Sequence, residues 1–398
     1  MINYLVKLGG ENILKIPVKK PKPDFDYLVR VVNGERKTGR VLFAEMYIDD
    51  EVKEFIIENY FNKKIIQCPR EQIVRSSGSD NSSKYSDEYK EVYRNYLRQN
   101  INFYYRMGYS IVPDQEFEIN FSSLNTAPKL GKDTAVLSRG ERNWAQEGIG
   151  MIKSWEDFEK FPWVEAKKML LEYEEHLEFL SKNLPDGMKI AVGSAVFEPL
   201  ILWMLGYEGF SYTVYDKPDL VGAVFDQVGQ LVYNSYVIAT SMDGVGVVWH
   251  GDDFGFKTAT IISPDYLRRW VFPWLKKYRE IAHKCNKSFW LHTCGYKYGI
   301  MKDLIKYVKI DALHSFEDAC CPIIDFKKKY GEKVGLIGGV DVDKLASLGE
   351  EDLRKYIRNI LDACMPGGRY IFGSGNSICN YVPVKNFLIM IDEGYKWE

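Results

Sequence analysis

The chain has 398 residues, of which 46% are hydrophobic and 27% charged, with a formal net charge of -2 at pH 7. That near-neutral balance leaves no electrostatic footprint for nucleic acid or an anionic membrane surface, so a small molecule and another protein are the expected partners. No window approaches about 18 uninterrupted apolar residues, and the opening MINYLVKLGGENILKIPVKK lacks the pattern of a secretory leader, so the chain reads as cytoplasmic with no membrane span.

Taken in order, the first strand–helix pair is GRVLFAEM (39–46) followed by DDEVKEFIIENYF. The polar stretch RSSGSDNSSKYSDEYK (75–90) reads as an exposed excursion, and GYSIVPD (108–114) as a second strand. KIAVGSAV (189–196) and DGVGVVWHGDD (243–253) are apolar runs of strand length, the latter ending in polar residues. SPDYLRRWVFPWLKKYREIAHKC is a helix: Ser263 can cap it, Pro264 suits its first turn, and Pro273 should kink it. The alternation continues through KSFWLHTC, DALHSF, KVGLIGGVD and GRYIFGSG, each followed by a helical pattern. About eight such units argue for parallel strands with helical crossovers, closed into an α/β TIM barrel. The expected organisation is one domain, with residues 1–38 as an N-terminal extension and 39–398 as the barrel.

In such a barrel the chemistry lies where strands end and helices begin. The polar residues at those ends are Glu45, His250, Asp252, Asp253, His292, Cys294, Glu317, Asp318, Asp341 and the stretch from Ser374 to Asn380. His292 and Cys294, two apart on one strand, point to the same face. Imidazole and thiolate are zinc ligands, and a catalytic zinc site takes about three protein ligands with one position open. A third could come from Glu317, which closes the next strand, or from Cys379 beyond the last one. The other cysteines (68, 285, 320, 321 and 364) fit reduced thiols rather than a disulfide framework. In HGDDFG (250–255) adjacent residues of an extended segment point opposite ways, so one of Asp252 and Asp253 should face the pocket. His314 reads as a satisfied core histidine, and His176 and His283, on helices, as surface residues. GSGNSICN (373–380) lacks the lysine of a phosphate loop.

Residues 140–398 resemble the uroporphyrinogen decarboxylase superfamily, specifically its corrinoid-dependent methyltransferase branch. The match is carried by GDDFGFKTATIISPDYLRRWVFPWLKKYREIAHKCNKSFWLHTCG, DALHSFED, KVGLIGGVDVDKL and GSGNSICNYVPVKNFLIM. True decarboxylases carry an arginine-rich N-terminal signature, whereas the first-strand region here reads GRVLFAEMYIDDE. The methyltransferase branch instead carries a His-x-Cys zinc motif with a later Cys, which His292 and Cys294 match. Ser374 to Ser377 occupy the expected place of that Cys and Cys379 follows, while a related methionine synthase uses a glutamate at a position like Glu317. The resemblance implies a TIM-barrel methyltransferase with zinc. It would move a methyl group between a small methylated substrate, a methoxylated aromatic first, and the cobalt of a corrinoid (cobalamin) carried by a partner protein. On that reading His292 and Cys294 bind zinc with Cys379 or Glu317. Asp253 and His250 handle the proton, and Asp252, Glu45, Asn376 and Trp249 meet the substrate. A metal-free decarboxylase-like lyase and a non-catalytic ligand- or corrinoid-binding barrel are the alternatives.

Overall fold

The computed structural model describes residues 16–69, 87–126, 128–144 and 147–397, so residues 75–86 of the polar stretch lie outside it. Seven parallel strands form one sheet in the order β1 (Ile111–Asp114), β4 (Lys189–Val192), β5 (Val245–Gly251), β6 (Ser288–His292), β7 (Ala312–His314), β8 (Gly335–Ile337) and β9 (Tyr370–Ile371). The remaining strands, β2 (Lys129–Lys132) and β3 (Glu141–Trp144), pair antiparallel as a separate hairpin. An eighth position beside β9 is taken by the segment around Phe43, which bridges Phe372 in parallel. The Ala44 N–H donates to the Phe372 carbonyl and the Phe372 N–H to that of Leu42.

Side-chain alternation explains why these strands curl into a barrel. Leu42, Ala44, Met46, Ile111, Ala191, Val247, Trp249, Trp290, Ala312, Ile337 and Ile371 pack together as an inner core. Their neighbours of opposite parity, such as Phe43, Val248, Phe289, Leu291, Leu313 and Leu336, join the outer core beneath the helices. Both faces are thus buried, which is why the strands read as continuous apolar runs. The bottom of the barrel is plugged by the helix Phe25–Val32, whose Phe25, Leu28, Val31 and Val32 belong to the inner core. It is tied to strand starts: the Phe25 N–H donates to the Gly187 carbonyl and that of Arg369 to Val31.

Where a kink is expected, the helix changes type. A π-helical turn, Leu267–Val271, precedes the helix Phe272–Lys284, so the missing N–H of Pro273 falls where a regular ladder is already interrupted. His176 departs from the surface reading. It shares the buried face of the helix Trp163–Asn183 with Tyr173, Leu177 and Leu180, and its Nε2 lies 2.7 Å from Asp114 Oδ1. His283 does lie near the surface, 2.8 Å from Asp311. The hairpin β2–β3 was not expected either, because β2, reading KLGK, is mostly exposed and carries no apolar alternation. It is anchored to the loop after the first-strand segment and the loop after β9, through Arg142 to Asp49 and Asn380. Among the described residues no helix is long and apolar enough to cross a membrane.

Candidate metal centre

The inner-core parity, continued past the strand ends, decides which polar residues face the barrel mouth. Trp290 is followed at steps of two by His292 and Cys294, Ala312 by His314, and Trp249 by Gly251 and Asp253. His250 and Asp252 have the opposite parity. The structure brings Asp253, His292 and Cys294 together, with one ligand atom from each lying within 4.8 Å of the others. His292 Nε2 is 3.4 Å from Cys294 Sγ and 3.4 Å from Asp253 Oδ1. Ligands about 2.0–2.3 Å from one tetrahedral zinc ion stand roughly 3.4–3.6 Å apart, so both His292 separations suit such an ion.

The loops after β5 and β6 hold this geometry by crossing closely. Asp253 Oδ1 accepts the Cys294 N–H at 2.9 Å, and the Gly255 N–H reaches the Cys294 carbonyl at 3.2 Å. A Cβ at Gly295, where φ is +70°, would come within 2.3 Å of the Gly255 backbone, so glycine is required at this crossing. On the far side, Asn376 Nδ2 donates to Cys294 Sγ at 3.0 Å. Below, Trp249 is buried in the inner core edge-to-face against Trp290 and His314, at 5.2 and 5.4 Å between ring centres.

Electrostatics give the site an unbalanced charge. Burial works against ionisation of Asp253, but His292 and the Cys294 N–H outweigh it and hold the carboxyl at about 2. Burial, and then the charge of Asp253, push the Cys294 thiol well up. A thiol beside a carboxylate resists ionising until a cation arrives, and a metal ion reverses that preference. Two further carboxyls, at the ends of β1 and β4, lie in the same field. Burial, then Asp252 and Asp253, raise Glu118 to about 8, and burial, then Asp253, raise Glu198 well above the carboxylate range. The strand-end argument would have found both, had it been extended to PDQEFE and GSAVFE.

The other candidate residues sit elsewhere. Asp252 turns outward, where its carboxylate accepts the N–H groups of Val196, Phe197 and Glu198 and faces His250 Nε2 at 2.8 Å. His250 Nδ1 in turn meets the Tyr236 hydroxyl at 2.8 Å. Glu45 is buried against Ser374, whose N–H it accepts at 2.9 Å. Glu317 Oε1 accepts the Gly295 N–H at 2.9 Å, beside the three-residue group but outside it. Cys379 lies with Ser377, Asp49 and Tyr381, also outside that group.

A family model described as uroporphyrinogen decarboxylase (URO-D) matches residues 150–397. The chain belongs to the uroporphyrinogen decarboxylase family. Its fold is that of a solved methyltransferase from Methanosarcina mazei, with a TM-score of 0.61 at 13% identity over 93% of this chain and 97% of that one. A B12-independent methionine synthase from Shewanella sp. W3-18-1, in complex with selenomethionine, matches with a TM-score of 0.44 at 13% identity, over 78% and 89% of the two chains. No curated protein sequence matches.

Proposed function

We propose that this family member is a zinc-dependent methyltransferase, moving a methyl group between a small methylated substrate and the cobalt of a corrinoid protein. The observation that carries the reading is the convergence of an imidazole, a thiol and a carboxylate at the mouth of the barrel, at separations that suit one zinc ion. A methyltransferase on the same fold supports it. His292, Cys294 and Asp253 would hold the ion, and Asn376, donating to the Cys294 sulfur, would favour its thiolate form. Bound there, zinc supplies Lewis acidity toward the oxygen, nitrogen or sulfur atom that carries the methyl group.

The chain's own groups do the rest. Trp249 and Trp290, buried below the group, keep that end of the barrel interior apolar, and a methoxylated aromatic is the first substrate to try. Glu198 and Glu118, held protonated near neutral pH beside Asp253, would supply a proton to the oxygen that loses its methyl group. The corrinoid partner would approach the same end of the barrel.

The test supplies Co(I) cobalamin with methoxylated aromatics, methylamines, methanol and methyl thiols, and follows methylcobalamin by its absorbance. Methylation with one substrate class, falling at least about 100-fold in Cys294→Ser, is the expected result. No methylation with any of them, alongside carbon dioxide release from a carboxylated compound, would favour the lyase instead.

A further inference from the structure

We propose that His314 is a positioning residue for the metal centre: through its ring it fixes the proton of His292 on Nδ1 and leaves Nε2 as the nitrogen that a metal ion takes. The proposal rests on the zinc reading above and adds a residue to it.

Register creates the contact. His292 and His314 are paired on the neighbouring parallel strands β6 and β7, and both continue the inner-core parity, so their rings meet inside the barrel mouth. The two Nδ1 atoms are 2.7 Å apart, a separation that calls for one proton between them. Which ring owns that proton follows from the other end of His314. Its Nε2 lies 3.1 Å from the Ser374 carbonyl oxygen, which can only accept, so that nitrogen carries a hydrogen. His314 is fully buried, and its ring nitrogens meet His292 and the Ser374 carbonyl rather than a carboxylate that could balance a charge, so the ring is neutral. A neutral imidazole protonated at Nε2 has a lone pair at Nδ1. The shared proton is therefore that of His292.

The consequence lies at the opposite edge of the His292 ring, where Nε2 faces Cys294 Sγ and Asp253 Oδ1. A free imidazole divides itself between two neutral tautomers, and the one protonated at Nε2 cannot ligate through that atom. The chain from Ser374 through His314 keeps one proton on Nδ1, so a proton that Nε2 shares with Asp253 is the one a metal ion displaces. Space for the relay is reserved in the backbone. Gly338 has φ +88°, and a Cβ there would stand 2.8 Å from His314 Cδ2. Trp249 braces another side of the ring.

The test uses the full-length chain stripped of metal, titrated with zinc, beside His314→Leu and His314→Asn, with a melting curve for each. Leucine removes the acceptor, and the zinc dissociation constant is expected to weaken about 10–100-fold. Asparagine offers a carbonyl oxygen near the position of Nδ1 and is expected to recover most of that loss. The chain has five histidines, so nitrogen-15 NMR through two-bond couplings can read each ring of the wild type. His292 Nδ1 should be protonated both with and without zinc. A His292 ring with its single proton on Nε2, or zinc affinity unchanged in a folded His314→Leu, overturns the proposal. Should the wild type bind no zinc at all, the metal reading fails on its own, while the His292 proton position still decides the relay. If His314→Leu does not fold, the wild-type spectrum alone gives the answer.

Discussion

Asp252 and Asp253 are adjacent, identical in chemistry, and put to unrelated uses. Asp253 joins His292 and Cys294 in the group that could hold a metal ion, whereas Asp252 turns out of the barrel to hold three backbone N–H groups and a histidine. Strand parity was enough to expect the split from the sequence, but not which member faced inward, since that depends on where β5 stops being extended. Glu45 shows a second limit. Its parity is that of Phe43, not of Ala44, and its carboxyl is buried against Ser374 with its pKa raised from 4.5 to about 8 by burial. Between those two values the folded chain binds a proton that the unfolded chain has released, so this group lowers stability as pH rises through that window. In Glu45→Gln the amide replaces the protonated acid. Denaturant melts are expected to show the variant more stable than wild type above pH 8, by on the order of a few kcal/mol, with the difference vanishing near pH 4. Equal stability of the two proteins at both pH values would show that Glu45 titrates normally.

At the scale of elements, the expected strands are found, including the segment at Gly39 to Met46, because the strands are buried on both faces and therefore apolar throughout. What the sequence did not disclose is polar or short. Strand β2 of the hairpin is exposed, and the partnership between the His250–Asp252 pair and the turn after β4 depends on chain folding rather than local pattern. Asp252 ties β5 to the start of the next crossover. Asp252→Ala would leave Val196, Phe197 and Glu198 without their acceptor and His250 without its partner, all in a buried setting. The expected cost is about 3–5 kcal/mol, seen as a lower melting temperature. A change under about 1 kcal/mol would mean that water replaces the carboxylate there.

Seen whole, the molecule separates stability from chemistry along the barrel axis. The helix Phe25–Val32 closes the end where strands begin, and the polar cluster occupies the end where they finish. Leu28→Ala, at a fully packed position in the plug, should cost about 2–5 kcal/mol in stability. Zinc affinity of the folded variant should stay as in wild type, and a parallel loss would show that the two ends are coupled. The fold was legible because a repeated strand–helix pattern is redundant: one misread unit leaves the barrel intact. In the candidate site, His292 and Cys294 were legible as a pair, and Asp253 and Asn376 as rim residues in other roles; their contacts with that pair, and that of His314, come from three other strand ends that only closure brings together.

The central claim is the metal centre, and the measurement that tests it most directly is the metal content of the purified chain by elemental analysis, beside Cys294→Ser, Asp253→Asn and Cys379→Ser. About one zinc per chain is expected in the wild type and in Cys379→Ser, with loss in both Cys294→Ser and Asp253→Asn. A wild type that holds no zinc after incubation with it would contradict the metal centre. Loss in Cys379→Ser with retention in Asp253→Asn would contradict the proposed ligand set.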